Sequence, residues 1–338
     1  MTPLIRPARP DDYPAMVAIA NRAFPDNPDT VDEWRHWDNH RHPKLKFGRF
    51  VAELDGRVVG VGEHNQDEGM YHPRKFGIEV TVDPEWRGRG VGAALFAHVV
   101  AALVPEAPIA YWASVREDQA AGLRFAEARG FSETMRVWEN HLRMTDYHPE
   151  RFPGAVEKVE ASGIVLRTFA ELCASDPGFF RKLFEVQEEI SQDAPQPDPA
   201  TPLDFDVWQG RVINNPNLIP DGYFVACDGE RYVGISTLFS SQSEDYLYTG
   251  WTGVVRAYRR RGIALALKLR ALDHARSLGA PLVKTWNAST NVGMLAINAA
   301  LGFQKQPAWI THVHAVAAES ASAVAAGTAA APAMAVAG

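Results

Sequence analysis

The chain has 338 residues, 46 % hydrophobic and 22 % charged, and its 34 basic and 41 acidic side chains give a formal charge of −7. That length suggests two domains at a prior of roughly 150 residues each; the composition excludes disorder as the main state, and the acidic balance excludes coating of nucleic acid by bulk electrostatics. The two cysteines, Cys173 and Cys227, make neither a disulfide framework nor a metal-ligand spacing, so a reducing, cytoplasmic setting is expected, and no signal peptide or membrane span is expected either, because acidic residues and proline break the amino terminus before an apolar run develops.

In chain order, a polar helical region with aromatic anchors comes first. Thr30 and Glu33 have capping-box spacing and predict a helix anchored by Trp34 and Trp37. His36 and His40 lie one helical turn apart within it, but no third ligand accompanies them and no metal is expected. A hairpin follows, with its turn at Asp55-Gly56. Next come a third strand over Phe76–Val82, the cluster WRGRGVGAAL from Trp86, and a helix with apolar residues at Val91, Leu95, Val99 and Ala102. A strand at Ala110–Val115, a helix ending at Gly130-Phe131 and a strand at Val137–Leu142 complete the series.

The series then repeats. Arg87 corresponds to Arg259 (259 minus 87 is 172), Gly130 to Gly302 (302 minus 130 is again 172), and FVAELDGRVVG ending at Gly60 to FVACDGERYVG ending at Gly234. In the second copy the hairpin turn is Asp228-Gly229. The third strand is Tyr246–Val255, and the following helix carries Ile263, Leu267, Ala271 and Ala275 and stops at Gly279. Strands at Pro281–Trp286 and Trp309–Val316 close it. The pattern is mixed α/β and internally duplicated. The expected boundaries are a first domain over 1–147, a linker over 148–160, a second domain over 161–316 and a disordered, Ala-rich tail over 317–338.

A strand running into WRGRGVG and opening a helix presents free backbone amides and a positive dipole end to an anion, with glycines permitting close approach. Arg256, Arg259, Arg260 and Arg261 crowd the same place in copy two. Neither cluster is a Walker A loop or a strict G-x-G-x-x-G fingerprint. Both fit Arg-x-x-Gly-x-Gly/Ala: Arg87, Gly90 and Gly92, then Arg259, Gly262 and Ala264.

With this cluster in both copies, the chain resembles a tandem pair of GNAT (GCN5-related N-acetyltransferase) domains, in a two-domain arrangement of the mycothiol-synthase type. The resemblance implies two domains, each a mixed, mostly antiparallel sheet flanked by helices, and acetyl-CoA as acyl donor. It places the pyrophosphate on Arg87, Gly88, Arg89, Gly90, Val91 and Gly92, and on Arg259, Arg260, Arg261, Gly262, Ile263 and Ala264. It also places the thioester carbonyl against a backbone N–H at Val82 or at Val254, with Val255 beside it, where a preoriented donor stabilises the oxyanion. The family's Asn falls at Asn291 in copy two and is Gln119 in copy one. Its general-acid Tyr is replaced by Asn298 and by Ala126; Asn298 can donate a hydrogen bond to sulfur but cannot transfer a proton.

The acceptor amine must lose a proton before it attacks, and Glu79 and Tyr248 lie on the strands that face it. Glu185, Glu188, Glu189 and Asp193 could make an acidic mouth attracting a cationic amine. The expectation is transfer of acetyl to a primary amine of a small molecule by direct attack in a ternary complex, with copy two as catalyst because it keeps Asn291. Two alternatives stand: catalysis in copy one, whose glycine turn is the more complete, or an acyl-CoA-binding scaffold without turnover. Neither the acceptor nor the oligomeric state follows from the sequence.

Overall fold

The computed structural model describes residues 2–316; the expected tail over 317–338 lies outside the described residues. In chain order, the first copy forms β1 (Leu4–Pro7), α1 (Tyr13–Ala23), α2 (Val31–Asn39), β2 (Gly48–Leu54), β3 (Arg57–Asn65), β4 (Lys75–Val82), α3 (Val91–Leu103), β5 (Ala110–Arg116), α4 (Ala120–Glu127) and β6 (Ser132–Arg143). The second forms α5 (Ala155–Ala161), β7 (Ile164–Thr168), α6 (Phe169–Ser175), α7 (Phe179–Ser191), α8 (Phe205–Ile213), β8 (Phe224–Asp228), β9 (Arg231–Ser240), β10 (Tyr246–Val254), α9 (Ile263–Ser277), β11 (Leu282–Ala288), α10 (Val292–Leu301) and β12 (Gln304–Ala315). Sequence patterning did not reveal the opening strands β1 and β7, four and five residues long, and α5 occupies residues expected as linker.

The chain packs into two compact units. One holds the described residues up to 137, residues 197–201 and the described residues from 307; the other holds 138–196 and 202–306. Repeat and packing unit therefore differ: most of β12, a copy-two strand, belongs to the first unit, and the second half of β6, a copy-one strand, belongs to the second.

In the first unit β1, β2, β3 and β4 pair antiparallel in sequence order, β4 pairs with β5 in parallel, and β12 closes the other side of β5 antiparallel. In the second, β7 to β10 repeat the antiparallel run, β10 pairs with β11 in parallel, and β6 borders β11. The sheets are mixed and mostly antiparallel, flanked by helices.

Local chemistry explains the hairpin and helix starts. Asp55 and Gly56 both hold positive φ (50° and 74°), as a two-residue hairpin turn of the I′ kind requires. Thr30 Oγ1 accepts from the Glu33 amide at 3.2 Å, and Glu33 Oε2 accepts from the Thr30 amide at 2.7 Å, completing the expected capping box on α2.

In the first unit, Phe76, Ile78 and Val80 of β4 pack with Leu95, Val99 and Leu103 of α3 in a fully buried cluster, each large side chain contributing about 1.5–3 kcal/mol. Val61 on the opposite face of the sheet packs with Met16 of α1. Each face thus has its own helical cover, and the strand ends between the covers are where β4 leaves β5.

Candidate active site

The parallel β4–β5 ladder runs only from Lys75 to Gly77, paired with Ala110 to Trp112, whereas β4 stays paired with β3 as far as Val82. Beyond Gly77 the strand is paired with β3 alone, and its other edge borders a cleft. At the cleft mouth Arg87 Nε donates to the Val82 carbonyl at 3.2 Å, fixing the strand end to the turn. Gly88 and Gly90 hold φ of 74° and 80°, and no atom lies within 4 Å of where their Cβ atoms would be. The turn is therefore an open ring of amides leading into the first turn of α3.

A cavity of about 360 Å³ extends from this turn, lined by Val82, Arg87, Gly88, Gly90, Val91 and Gly92 together with Gln119, Phe125 and Arg129. Arg89 lies over the ring of Trp86, itself a lining residue, at 4.8 Å. Gln119 Nε2 donates to the Ala23 carbonyl at 3.2 Å, tying the start of α4 to the end of α1.

Arg129, which sequence reasoning missed, sits over Phe125 at 4.0 Å. Its Nε is buried without a partner, and burial pushes its guanidinium down to about 10. A desolvated cation with an unused donor suits an anionic ligand. Its only sequence signal was an arginine just before Gly130-Phe131.

A second cavity, of about 260 Å³, shares Phe24 and Thr81 with the first and opens on the α1 and α2 side of the sheet. Its wall carries Glu79. Directly across the β3–β4 ladder lies Glu63, and Asn65 Nδ2 donates to Glu79 Oε1 at 3.2 Å. Burial, followed by the charge of Glu63, pushes the Glu79 carboxyl up to about 8; the exposure it keeps is to the cavity. Arg49 is bonded elsewhere, with Nε donating to Glu63 at 2.7 Å and Nη1 to Asp38 at 2.5 Å. Tyr13 OH and Arg41 also donate to Asp38. Burial alone would raise Asp38, but the Arg49 charge and these hydrogen bonds outweigh it and hold Asp38 below the usual carboxylate range. Glu79 is left without a hydrogen-bonded cation. These partners come from four separate elements, and no local motif announced them.

Copy two keeps the turn and changes what surrounds it. Arg259 Nε donates to the Val254 carbonyl at 2.9 Å, as Arg87 does to Val82. Gly262 holds φ 84°, and Arg260, in the place of Gly88, holds φ 62°. A non-glycine residue in the left-handed region costs about 1–2 kcal/mol, so the conformation of the amide ring is retained against a local penalty. Asp193 bonds both Arg256 and Arg259, while Arg261 lies 5.1 Å over the Tyr258 ring. Val255 and Ile263 are buried core residues, and Ala264 packs against them.

On the face matching the copy-one wall that carries Glu79, the positions of Arg49, Glu63, Asn65 and Glu79 are Tyr223, Thr237, Phe239 and Trp251, counted from Phe50/Phe224, Gly60/Gly234 and Val82/Val254. Ile190 of α7 lies so close to Gly253 that a Cβ there would be 2.3 Å from its Cγ2. Tyr248 stacks on Phe239 at 5.3 Å and edges onto Trp286 at 6.1 Å. Asn291 caps α10, its Oδ1 accepting from the Met294 amide at 3.3 Å. Asn298 is buried and donates to Asn287 Oδ1 at 2.6 Å. Of the expected acidic mouth, Glu188 accepts from the Leu203 amide, Glu189 pairs with Arg231, and Asp193 holds the turn arginines.

The model of the acetyltransferase (GNAT) family matches residues 13–131 and again 183–303. The chain belongs to the GNAT acetyltransferase family. It is a tandem GNAT protein and an N-acetyltransferase. Similar proteins include a mycothiol acetyltransferase from Nocardioides sp. (24 % identical over 241 residues, 67 % of this chain and 76 % of that protein). Another is a mycothiol acetyltransferase from Nocardia farcinica (26 % over 258 residues, 75 % and 78 %). Among solved structures, a tandem GNAT protein from the clavulanic acid biosynthesis pathway has the same fold, with a TM-score of 0.70 at 19 % identity, over 93 % of this chain and 98 % of that one. Among the described residues no group of three or more His, Cys, Asp or Glu side chains could hold a metal, and no helix is long and apolar enough to cross a membrane. The His36 and His40 rings lie 4.4 Å apart between centroids, tilted at 37° to each other.

Proposed function

We propose that the tandem GNAT chain acetylates a primary amine of a small molecule by direct attack within a ternary complex, and that copy one carries the reaction. The observation behind this choice of copy is Glu79, a carboxyl raised to about 8 on the wall of the cavity that adjoins the cofactor cavity through Phe24 and Thr81. This departs from the sequence expectation of catalysis in copy two, where Trp251 stands in the corresponding place and Asn291 serves as a helix cap.

Acetyl-CoA supplies the activated acetyl thioester. The amide ring at Gly88 and Gly90 and the unused Nε donor of the Arg129 guanidinium, whose Nη1 donates to the Phe125 carbonyl, fit its diphosphate and phosphate groups. Glu79 takes a proton from the incoming ammonium; a base of this pKa is half deprotonated near pH 8 and accepts the proton without being too weak to do so. The strand end at Val82 offers a main-chain donor to the oxygen on which negative charge grows. Ala126 at the family's tyrosine position leaves protonation of the departing thiolate to solvent. Cys173 and Cys227, both free, agree with a reducing, cytoplasmic setting.

The test is release of free CoA over a panel of primary amines by the full-length chain and by Glu79→Gln, Tyr248→Phe and Asn298→Ala. Loss of turnover in Glu79→Gln alone supports copy one. Loss in Asn298→Ala with Glu79→Gln active moves the reaction to copy two. Acetyl-CoA binding without turnover on any amine favours the acyl-CoA-binding scaffold.

A further inference from the structure

Five interior positions change character together between the copies. Ile78, Phe96, Ala113, Val115 and Ala126 belong to, or pack against, one apolar cluster around Phe131. Their counterparts are Thr249, Lys268, Thr285, Asn287 and Asn298. The correspondence is structural: Ile78 and Thr249 lie opposite His64 and Leu238, each four residues past the matched glycines Gly60 and Gly234. The others hold the same ordinal place in α3 and α9, β5 and β11, and α4 and α10.

These polar residues gather where β10 and β11 part. Thr249 and Thr285 are the last pair of the parallel ladder, and Thr285 Oγ1 donates to the Thr249 carbonyl at 3.4 Å. Asn287 is two residues farther along the same face of β11 and bonds Asn298 of α10. Lys268 lies on the face of α9 that also presents Leu265, Leu269 and Leu272 to the core around Leu247 and Val283, the residues two before Thr249 and Thr285. Its Nζ is 5.2 Å from the Phe303 ring centre. Lys268 is 1 % exposed, and its Nζ, Thr249 Oγ1 and Asn298 Oδ1 are all buried without a partner. Unsatisfied buried polar groups are costly, and an unpaired buried ammonium most of all. Burial alone pulls this amine down to about 7.

We propose that the cleft between β10 and β11 is a subsite for an acyl-CoA whose acyl chain ends in a carboxylate, with Lys268 as the counter-cation at the closed end and the Thr249 hydroxyl as a hydrogen-bond donor to that carboxylate. The inference rests on the reading that the second turn holds a pantetheine carrier. A chain entering beside that turn runs toward the ladder end, and a terminal carboxylate is the one anionic group an acyl thioester can bring there. It pairs the lysine and restores its charge. In copy one Ile78 and Phe96 present hydrocarbon at the same depth, which favours a short, uncharged acyl group.

Succinyl-CoA and butyryl-CoA have equal chain length and differ at the terminal carboxylate. Calorimetric titration of the full-length chain with each, and with acetyl-CoA, should show one site per chain that prefers succinyl-CoA by tenfold or more. In Lys268→Met that preference should vanish while acetyl-CoA affinity stays within twofold. Equal affinity for the two four-carbon thioesters in the unaltered chain overturns the proposal, as does a preference that survives Lys268→Met. Absence of heat with all three thioesters removes the pantetheine reading itself, an outcome distinct from a chain that binds them without discrimination.

Discussion

The two copies share a glycine- and arginine-rich turn and divide almost everything around it. Copy one surrounds its turn with apolar interior residues on the α3 face of the sheet and titratable residues on the α1 and α2 face. Copy two does the opposite, with Lys268, Thr249 and Asn298 buried inside and Tyr223, Phe239 and Trp251 where the charged wall would be. The amide ring survives in both because it depends on backbone angles, which even Arg260 adopts. Side-chain chemistry on either side of it was free to diverge. A duplicated scaffold can thus keep one turn geometry twice while the side chains around the two turns differ in kind.

The largest test of this contrast is Glu79→Gln, expected to lower kcat by about 10²–10³-fold, as removal of a general base does, with KM for acetyl-CoA little changed. Trp251→Ala, at the matching position, should leave kcat within twofold. Equal losses in the two variants would erase the distinction between copies.

The pH dependence sharpens the same point. The value of kcat/KM should rise about tenfold per pH unit and level off above about 8. Asn65→Leu removes a hydrogen bond that favours the charged carboxylate, so it should move that rise to higher pH. Stability follows with opposite sign. Between the ordinary value of 4.5 and about 8, folded Glu79 retains a proton that the unfolded chain has released. Its contribution therefore falls as pH rises through that window. Glu79→Gln should gain Tm relative to the unaltered chain on going from pH 5 to pH 8, measured by thermal melts at both.

A smaller effect lies in the turn itself. Gly88→Arg places a side chain at φ 74° and should destabilise the fold by about 1–2 kcal/mol. Arg260→Gly, the reverse exchange in copy two, should stabilise it by less than that, because glycine loses more backbone entropy on folding. Denaturant midpoints for the pair measure the difference.

The smallest effect is expected from Asp193→Asn. Releasing Arg256 and Arg259 should strengthen CoA binding at the second turn by about two- to fivefold at low salt, and the gain should shrink as salt screens these exposed charges.

Much of the fold was legible because it is written in local signals. The hairpin turns, the helix starts and the Arg-x-x-Gly-x-Gly/Ala cluster each depend on residues within a few positions of one another, and the duplication made every signal appear twice. The opening strands escaped because segments as short as Leu4–Pro7 and Ile164–Thr168 carry too few alternations to register. Glu79 was identifiable as a strand residue facing the acceptor, but its raised pKa was not. That depends on Glu63 across the ladder, on Asn65, and on Arg49 being spent on Asp38, whose bonding partner Tyr13 is 25 residues away in the chain.

The sequence by itself determined the duplicated α/β plan, the family and the place of the glycine- and arginine-rich turn, because backbone-directed features need only the right residue types in short spacing. Which residues surround each turn was decided by tertiary structure. Burial, the neutralisation of one charge by another, and the exchange of β6 and β12 between repeat and packing unit arise only when distant segments meet. The Glu79 carboxyl is pushed up, and Lys268 becomes an interior amine without a hydrogen-bond partner, through desolvation by residues far away in the chain.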